Sequence, residues 1–435
     1  KDPTHAADER KQVIRLGSLR KGQTVAVKPD VVKKSNCPEG WYKLVAGGYV
    51  CGKYVTRDLA AKELADAPHA PFAEGPLPYE YGLNLTHGTP LYRRPPLKRE
   101  RGLLVGKSPN ADERALAAKE LAKEKGATPW YLKDHGGQKP QVTFDELKGE
   151  SGLVELRMVR GFYVALDTQV RAFAGKFWRT TRGNYIPADH VLVHKPTTEV
   201  EGVWVGRDDE PRKLPLGFSL GLYARQYKIE EGAERPKRFD KVPRFTILPL
   251  TGKRVVLEQR AYYETLDAFW MRDLDGTVTR PGPPPSDLQP GERWIDINLS
   301  TQTLVAFEGD KPMFATILSS GRHDDTDKTK DHRTPSGSFR IREKHISTTM
   351  DDDSASDGIY SIQDVPWVMY FEKGYALHGA FWHSRFGYER SHGCINLTPH
   401  DARQLFEWVG PKLPEGWHAV RATETNPGTR VVVHE

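Results

Sequence analysis

Three cysteines in 435 residues are too few for a disulfide-built scaffold, so apolar cores must hold this chain together. Hydrophobic residues make up 37% of it, enough for two to four domains at this length. No apolar run approaches the ~18 residues that a membrane-spanning helix needs. The opening residues, KDPTHAADERKQVIRLG, lack the apolar stretch of a secretory signal, which is taken as removed. Neither an RNP-like nor a zinc-finger pattern is present. The net charge of +6, from 64 basic and 58 acidic residues, is mild and gives no reason to assign nucleic acid as a partner. The densest basic run, YRRPPLKRERG (92–102), reads as a solvated loop.

Helix signals are scarce too. NADERALAAKELAKEKG (110–126) has a capping Asn110, Glu113 three residues on, and Gly126 as a stop. TPHDARQLFEWVG (398–410) has Thr398 as N-cap, Pro399 at the first helical position and Gly410 at the end. The remainder is turn-rich and strand-like. GWYKLVAGGYVCGKYV (40–55), KFWRTTRGNYIPADHV (176–191) and AFWMRDLDGTVTRP (268–281) share a plan of strand, tight turn and second strand with a buried Trp. In wording and spacing the first two resemble bacterial SH3-like small barrels, and the third does so less well. LTHGTPLYRRPP (85–96) would open the second barrel, with the helical stretch as an insertion. Five prolines in residues 281–292 forbid helix or central strand and read as a linker. The expected architecture is therefore mainly β. It comprises an SH3-like domain over 1–75, a second over 76–200, a third unit with the linker over 201–288, and a β-sandwich with one main helix over 289–435.

Cys37, Cys51 and Cys394 admit one bridge and one free thiol. A Cys37–Cys51 bridge closes a loop worth roughly 3 kcal/mol in the chain-entropy model and implies an oxidising compartment. The alternative is two reduced cysteines.

In the last region, alternation at Trp294–Leu299 and Leu304–Phe307 predicts strands with a hairpin turn at Gly309-Asp310. WVMYFEKGYALHGAFWH (367–383) predicts two more ending at His378 and Gly379, and GTRVVVHE (428–435) a closing strand. Cys394 stands in YERSHGCINLTPHD (388–401). A thiol becomes a nucleophile only on deprotonation, and a nearby imidazole can serve as base or ion-pair partner. Gly393 permits a tight turn, so the amides of His392, Gly393 and Cys394 could converge on an oxyanion. His378, His383, His392 and Cys394 match no zinc spacing, and neither metal nor cofactor is assigned.

The run ALHGAFWHSRFGYERSHGCINL (376–397) resembles the signature of the L,D-transpeptidase catalytic domain family. WIDINLSTQTLVAFEGD, ILSSGR, TPSGSF and HDARQLFEWV match that family in the same order. The resemblance implies Cys394 as nucleophile and His378 as base, oriented by a backbone carbonyl such as that of Gly379. It implies the amides of His392, Gly393 and Cys394 as an oxyanion hole. Ser391, Asn396 and Gly379 would bind substrate or support the loop. The polar stretch 344–364 falls where the family carries a lid. Two departures stand out: the spacer between His378 and Ser391 is short, and His383 inside it competes for the role of base.

The implied chemistry is acyl transfer on peptidoglycan stem peptides through a thioester in the periplasm or cell envelope. An amine of another stem gives a 3→3 crosslink, water gives an L,D-carboxypeptidase, and an envelope protein is a further acceptor. A non-catalytic wall-binding scaffold is the competing class.

Overall fold

Turn residues interrupt the chain every few positions, and strands fill the intervals. The computed structural model describes residues 14–72, 74–97, 100, 130–149, 152–195, 200–206, 212–355 and 358–435. The helix expected at 110–126 lies outside the described residues. The chain divides into two compact units. One comprises 1–195 with 346–365 and 414–419; the other comprises 196–345, 366–413 and 420–435.

The first unit contains a three-stranded antiparallel sheet, Val27–Lys34, Cys37–Leu44 and Tyr49–Cys51. Trp41 pairs with Cys51 across the hairpin, and a Cys37–Cys51 disulfide packs with Trp41 in a small core. Titration of the unfolded, unreduced protein with a thiol reagent is expected to find one reactive group, Cys394. Three reactive groups would remove the bridge. Farther along, Gly175–Thr180 and Tyr185–Pro187 form the second expected hairpin, with Ile186 opposite Trp178. Trp178 is only partly buried there, because Phe177 takes the core position. The third copy, in the other unit, is no hairpin. Trp270–Arg272 pairs with Arg260–Thr265, whereas Gly276–Val278 pairs with Leu216–Ser219.

The polar stretch 344–364, expected as a lid, falls mostly within two strands, Glu343–Asp352 and Tyr360–Glu372. Hydrophilic side chains hide this because several are buried by polar partners. Asp364 accepts Arg20 Nη1 and Nη2 at 2.5 and 2.7 Å, Thr181 Oγ1 at 2.5 Å and Ser347 Oγ at 2.9 Å. Tyr81 donates its hydroxyl to the Asp364 carbonyl. Burial pushes this carboxyl up, but Arg20, Thr181 and Ser347 together outweigh it and hold the group below the usual range. These bonds tie residues 20, 181, 347 and 364 of the first unit together. Asp364→Ala leaves a largely buried guanidinium without its partner and is expected to cost about 3 kcal/mol. Amide hydrogen exchange should then speed up in Glu80–Asn84 and residues 346–365; unchanged protection would remove this role.

In the second unit a six-stranded sheet runs Val203–Trp204, Lys311–Ile317, Thr303–Glu308, Arg293–Asn298, Arg430–His434, Gly337–Arg340. The closing strand lies parallel to Arg293–Asn298. The expected alternation of buried and exposed residues is absent here: every residue of Arg293–Asn298 except the first is buried. Trp294, Val305 and Phe307 join Leu216, Phe218 and Phe245 in one core. The polar members are buried under the Pro-rich stretch. Asp296 accepts Gly282 N–H at 3.0 Å, and Asn298 Nδ2 donates to the Arg280 carbonyl at 2.9 Å. Arg430 clasps Asp287 of the same stretch. Residues 279–292 are thus an ordered cover on this sheet, and 201–288 shares a core with the residues that follow. The helix Pro399–Trp408 starts as expected, with Thr398 Oγ1 accepting the Asp401 N–H at 3.1 Å.

Candidate active site

A short parallel pair of strands places the chemistry. Tyr375–Gly379 runs beside Ile395–Leu397, with Leu377 opposite Ile395 and His378 opposite Asn396. The turn that contains Cys394 therefore ends where the strand carrying His378 begins to pair. Ala376, two residues before His378, donates its N–H to the thiol.

His378 is buried and lies against the Trp382 ring at 5.7 Å between centroids. Its Nδ1 is 3.3 Å from the Gly379 carbonyl. A carbonyl only accepts, so Nδ1 carries the proton and Nε2 keeps a lone pair. Burial lowers its pKa to about 4. Cys394 is partly exposed, its thiol donates weakly to the Gly374 carbonyl at 3.8 Å, and burial raises the thiol to about 11. At neutral pH the resting pair is therefore a neutral imidazole and a neutral thiol, not an ion pair.

Gly393 has φ +116°, and a Cβ there would meet the Tyr375 ring at 2.3 Å. Only glycine makes this turn without strain. The loop is then fastened from within. Ser391 Oγ accepts Gly393 N–H at 3.0 Å and donates to the Cys394 carbonyl at 2.5 Å. The Gly393 amide is thus engaged within the loop. His392 lies edge-on to His332 at 4.7 Å. Ser391 and Asn396 are buried, and their side chains bond within the protein. Gly379 is packed close to Pro366, Pro399 and Ala402.

Comparison with known proteins follows this geometry. Residues 292–433 match the YkuD family, the L,D-transpeptidase catalytic domain. The Bacillus subtilis (strain 168) protein called "Putative L,D-transpeptidase YciB" is 28% identical over 145 residues, 30% of this chain and 65% of that relative. The chain thus spans just under two thirds of that relative. Among solved structures, an Enterococcus faecium L,D-transpeptidase is 22% identical, over 33% of this chain and 50% of that one, with a TM-score of 0.25. One from Xylanimonas cellulosilytica is 25% identical, over 36% and 65%, with a TM-score of 0.24.

Within the matched region His383 is accounted for separately. Arg385 N–H donates to its Nδ1 at 3.3 Å, and the Asn396 side-chain amide stands 2.9 Å from its Nε2. A neutral imidazole cannot accept at both nitrogens, so Nε2 carries the proton and the Asn396 amide turns its oxygen toward it. Burial, then Arg390, His378 and Arg385, lower the His383 pKa to about 3. Its lone pair is thus already used.

The motifs ILSSGR and TPSGSF carry roles that sequence reading leaves unassigned. Ser319 exchanges two backbone hydrogen bonds with Asn396, both at 2.9 Å. Ser391 N–H donates to the Ser320 carbonyl, and Ser320 is held by Gln302. Thr334 Oγ1 accepts from Gly321 N–H at 2.9 Å and donates to the Gly393 carbonyl at 2.8 Å. A Cβ on Gly321 would lie 1.9 Å from the His332 carbonyl and 2.7 Å from Gly393 Cα, so two backbones meet there. The cysteine loop is clamped from two chain segments distant in sequence, 319–321 and 332–334.

A buried lysine closes the far end of the helix that follows. Lys344 Nζ donates to the Phe406 and Val409 carbonyls at 2.5 and 2.8 Å, satisfying the helix C-terminus. Burial lowers its pKa to about 7.

Proposed function

We propose that this protein is an L,D-transpeptidase acting on peptidoglycan stem peptides in the cell envelope, with Cys394 as nucleophile and His378 as base. The observation that carries the reading is a clamped Ser391–Asn396 loop that presents one free thiol beside a strand whose buried His378 keeps a lone pair on Nε2. Nε2 takes the thiol proton as sulfur attacks the carbonyl of the third stem residue. The terminal residue leaves with that proton on its amine, and a thioester remains on Cys394. The amine of a second stem attacks the thioester, His378 takes its proton, and the thiol is restored as an amide forms. A diamino-acid amine gives a 3→3 crosslink, and an amine on an envelope protein gives attachment; water in the same step makes the enzyme an L,D-carboxypeptidase.

The N-terminal regions 1–75 and 76–200 serve as SH3-like modules that position the enzyme on the wall. Incubation with purified uncrosslinked stem tetrapeptides and mass spectrometry of the products tests the reaction. Crosslinked products with loss of one terminal residue support transfer; products lacking that residue but not crosslinked assign the water acceptor. An unchanged substrate overturns the proposal and leaves the scaffold reading.

A further inference from the structure

Outside the catalytic loop, the seven-stranded sheet of the second unit holds a cavity of about 370 Å³. None of its lining residues belongs to the Ser391–Asn396 loop or to the strand of His378. Its floor is apolar, from Pro215, Leu250 and Val278, and its walls carry Lys253, Arg254 and Arg280 with Tyr263. No acidic residue lines it.

The backbone is shaped to present these cations. Strands Ile247–Leu257 and Arg260–Thr265 lose register between Leu250 and Arg254. Gly252, inside that bulge, has φ +89°, and a Cβ on it would meet nothing within 4 Å. The glycine thus serves the bend and not close packing, and bulges of this kind re-aim side chains. Arg280 lies over the Tyr263 ring at 5.6 Å and donates to its hydroxyl, which holds the guanidinium in place. Lys253 is only loosely compensated, with Glu264 at 3.8 Å. Arg254 has no side-chain partner among the described residues.

A cavity of this size takes the end of a short chain, and small-molecule sites combine apolar walls with a few placed polar groups in this way. A guanidinium fork pairs with a carboxylate through two parallel hydrogen bonds. We infer that this cavity is a second binding site for a carboxylate-bearing peptide end, which in this protein would be an uncrosslinked stem peptide of the wall. The identity of the peptide rests on the wall-acting reading above; the carboxylate site does not. Such a site would hold the enzyme on substrate-rich wall independently of turnover.

The test is calorimetric titration of the full chain carrying Cys394→Ala, with a stem tetrapeptide as the probe. Two sites are expected, the catalytic cleft and the cavity. Arg254→Gln with Arg280→Gln should reduce them to one, and the fully amidated tetrapeptide should bind the cavity at least about tenfold more weakly. If the catalytic reading fails but the cavity inference holds, the count falls instead from one to none. An unchanged count in the double variant, or equal binding of the amidated peptide at the cavity, overturns the inference. Displacement of the peptide by millimolar inorganic phosphate alone would also overturn it, marking a general anion site. Both arginines are exposed, and the single Arg254→Gln variant gives the same reading if the double variant is unstable.

Discussion

The Cys394→Ala variant is expected to form no covalent adduct with a carbapenem and to turn over no stem peptide. Cys394 is the one free thiol among the described cysteines, since Cys37 and Cys51 are joined. Removing a nucleophile removes the thioester route altogether, so the loss should reach the detection limit rather than a partial rate. The fold should persist, because the loop is held by Ser391, Thr334, Ser320 and Gly321 and not by the sulfur. Intact-protein mass spectrometry after incubation with the carbapenem reads the adduct, and circular dichroism reads the fold. An adduct on the variant would place the nucleophile elsewhere.

His378→Ala should slow acylation by roughly 100- to 10,000-fold, the usual contribution of a positioned base. His383→Ala should cost far less in rate, because that ring is spent on Asn396 and Arg385. The pH profile separates this mechanism from an ion pair. His378 is lowered to about 4 by burial, and the Cys394 thiol is raised to about 11 by burial. The active form is base deprotonated and thiol protonated. It is lost below the first value as His378 gains a proton, and its general-base route ends above the second as the thiol ionises. Acylation should therefore hold a plateau across neutral pH in the wild type. In His378→Ala the remaining reaction needs free thiolate, so its rate should climb about tenfold per pH unit below the thiol pKa. Stopped-flow acylation over pH 5 to 9 measures both slopes. A wild-type rate that also climbs in this way, or a His383→Ala variant more damaged than His378→Ala, would remove His378 as base.

Much of this site was readable from residue order. Ser391-His392-Gly393-Cys394 and the His378-Gly379 pair are contiguous motifs, and the capped helix after them follows from Thr398 and Pro399. These depend on neighbours within a few positions, where local sterics and capping decide the backbone. The parity of three cysteines admitted a bridge and a free thiol, and the structure supplies the Cys37–Cys51 bridge. What residue order could not decide was every contact between distant segments. The Gly393 amide is taken by Ser391 rather than left for an oxyanion, and His383 is tied to Asn396. Thr334 and Gly321 reach the cysteine loop from some sixty to seventy residues away in the chain. Polarity misled for the same reason. The stretch 344–364 reads as loop, and residues 279–292 read as a linker. Asp364 and Asp296 are nevertheless buried, because Arg20, Thr181, Gly282 and His434 satisfy them. A polar side chain is soluble in a protein interior once its hydrogen bonds are made, and only the tertiary fold supplies those partners.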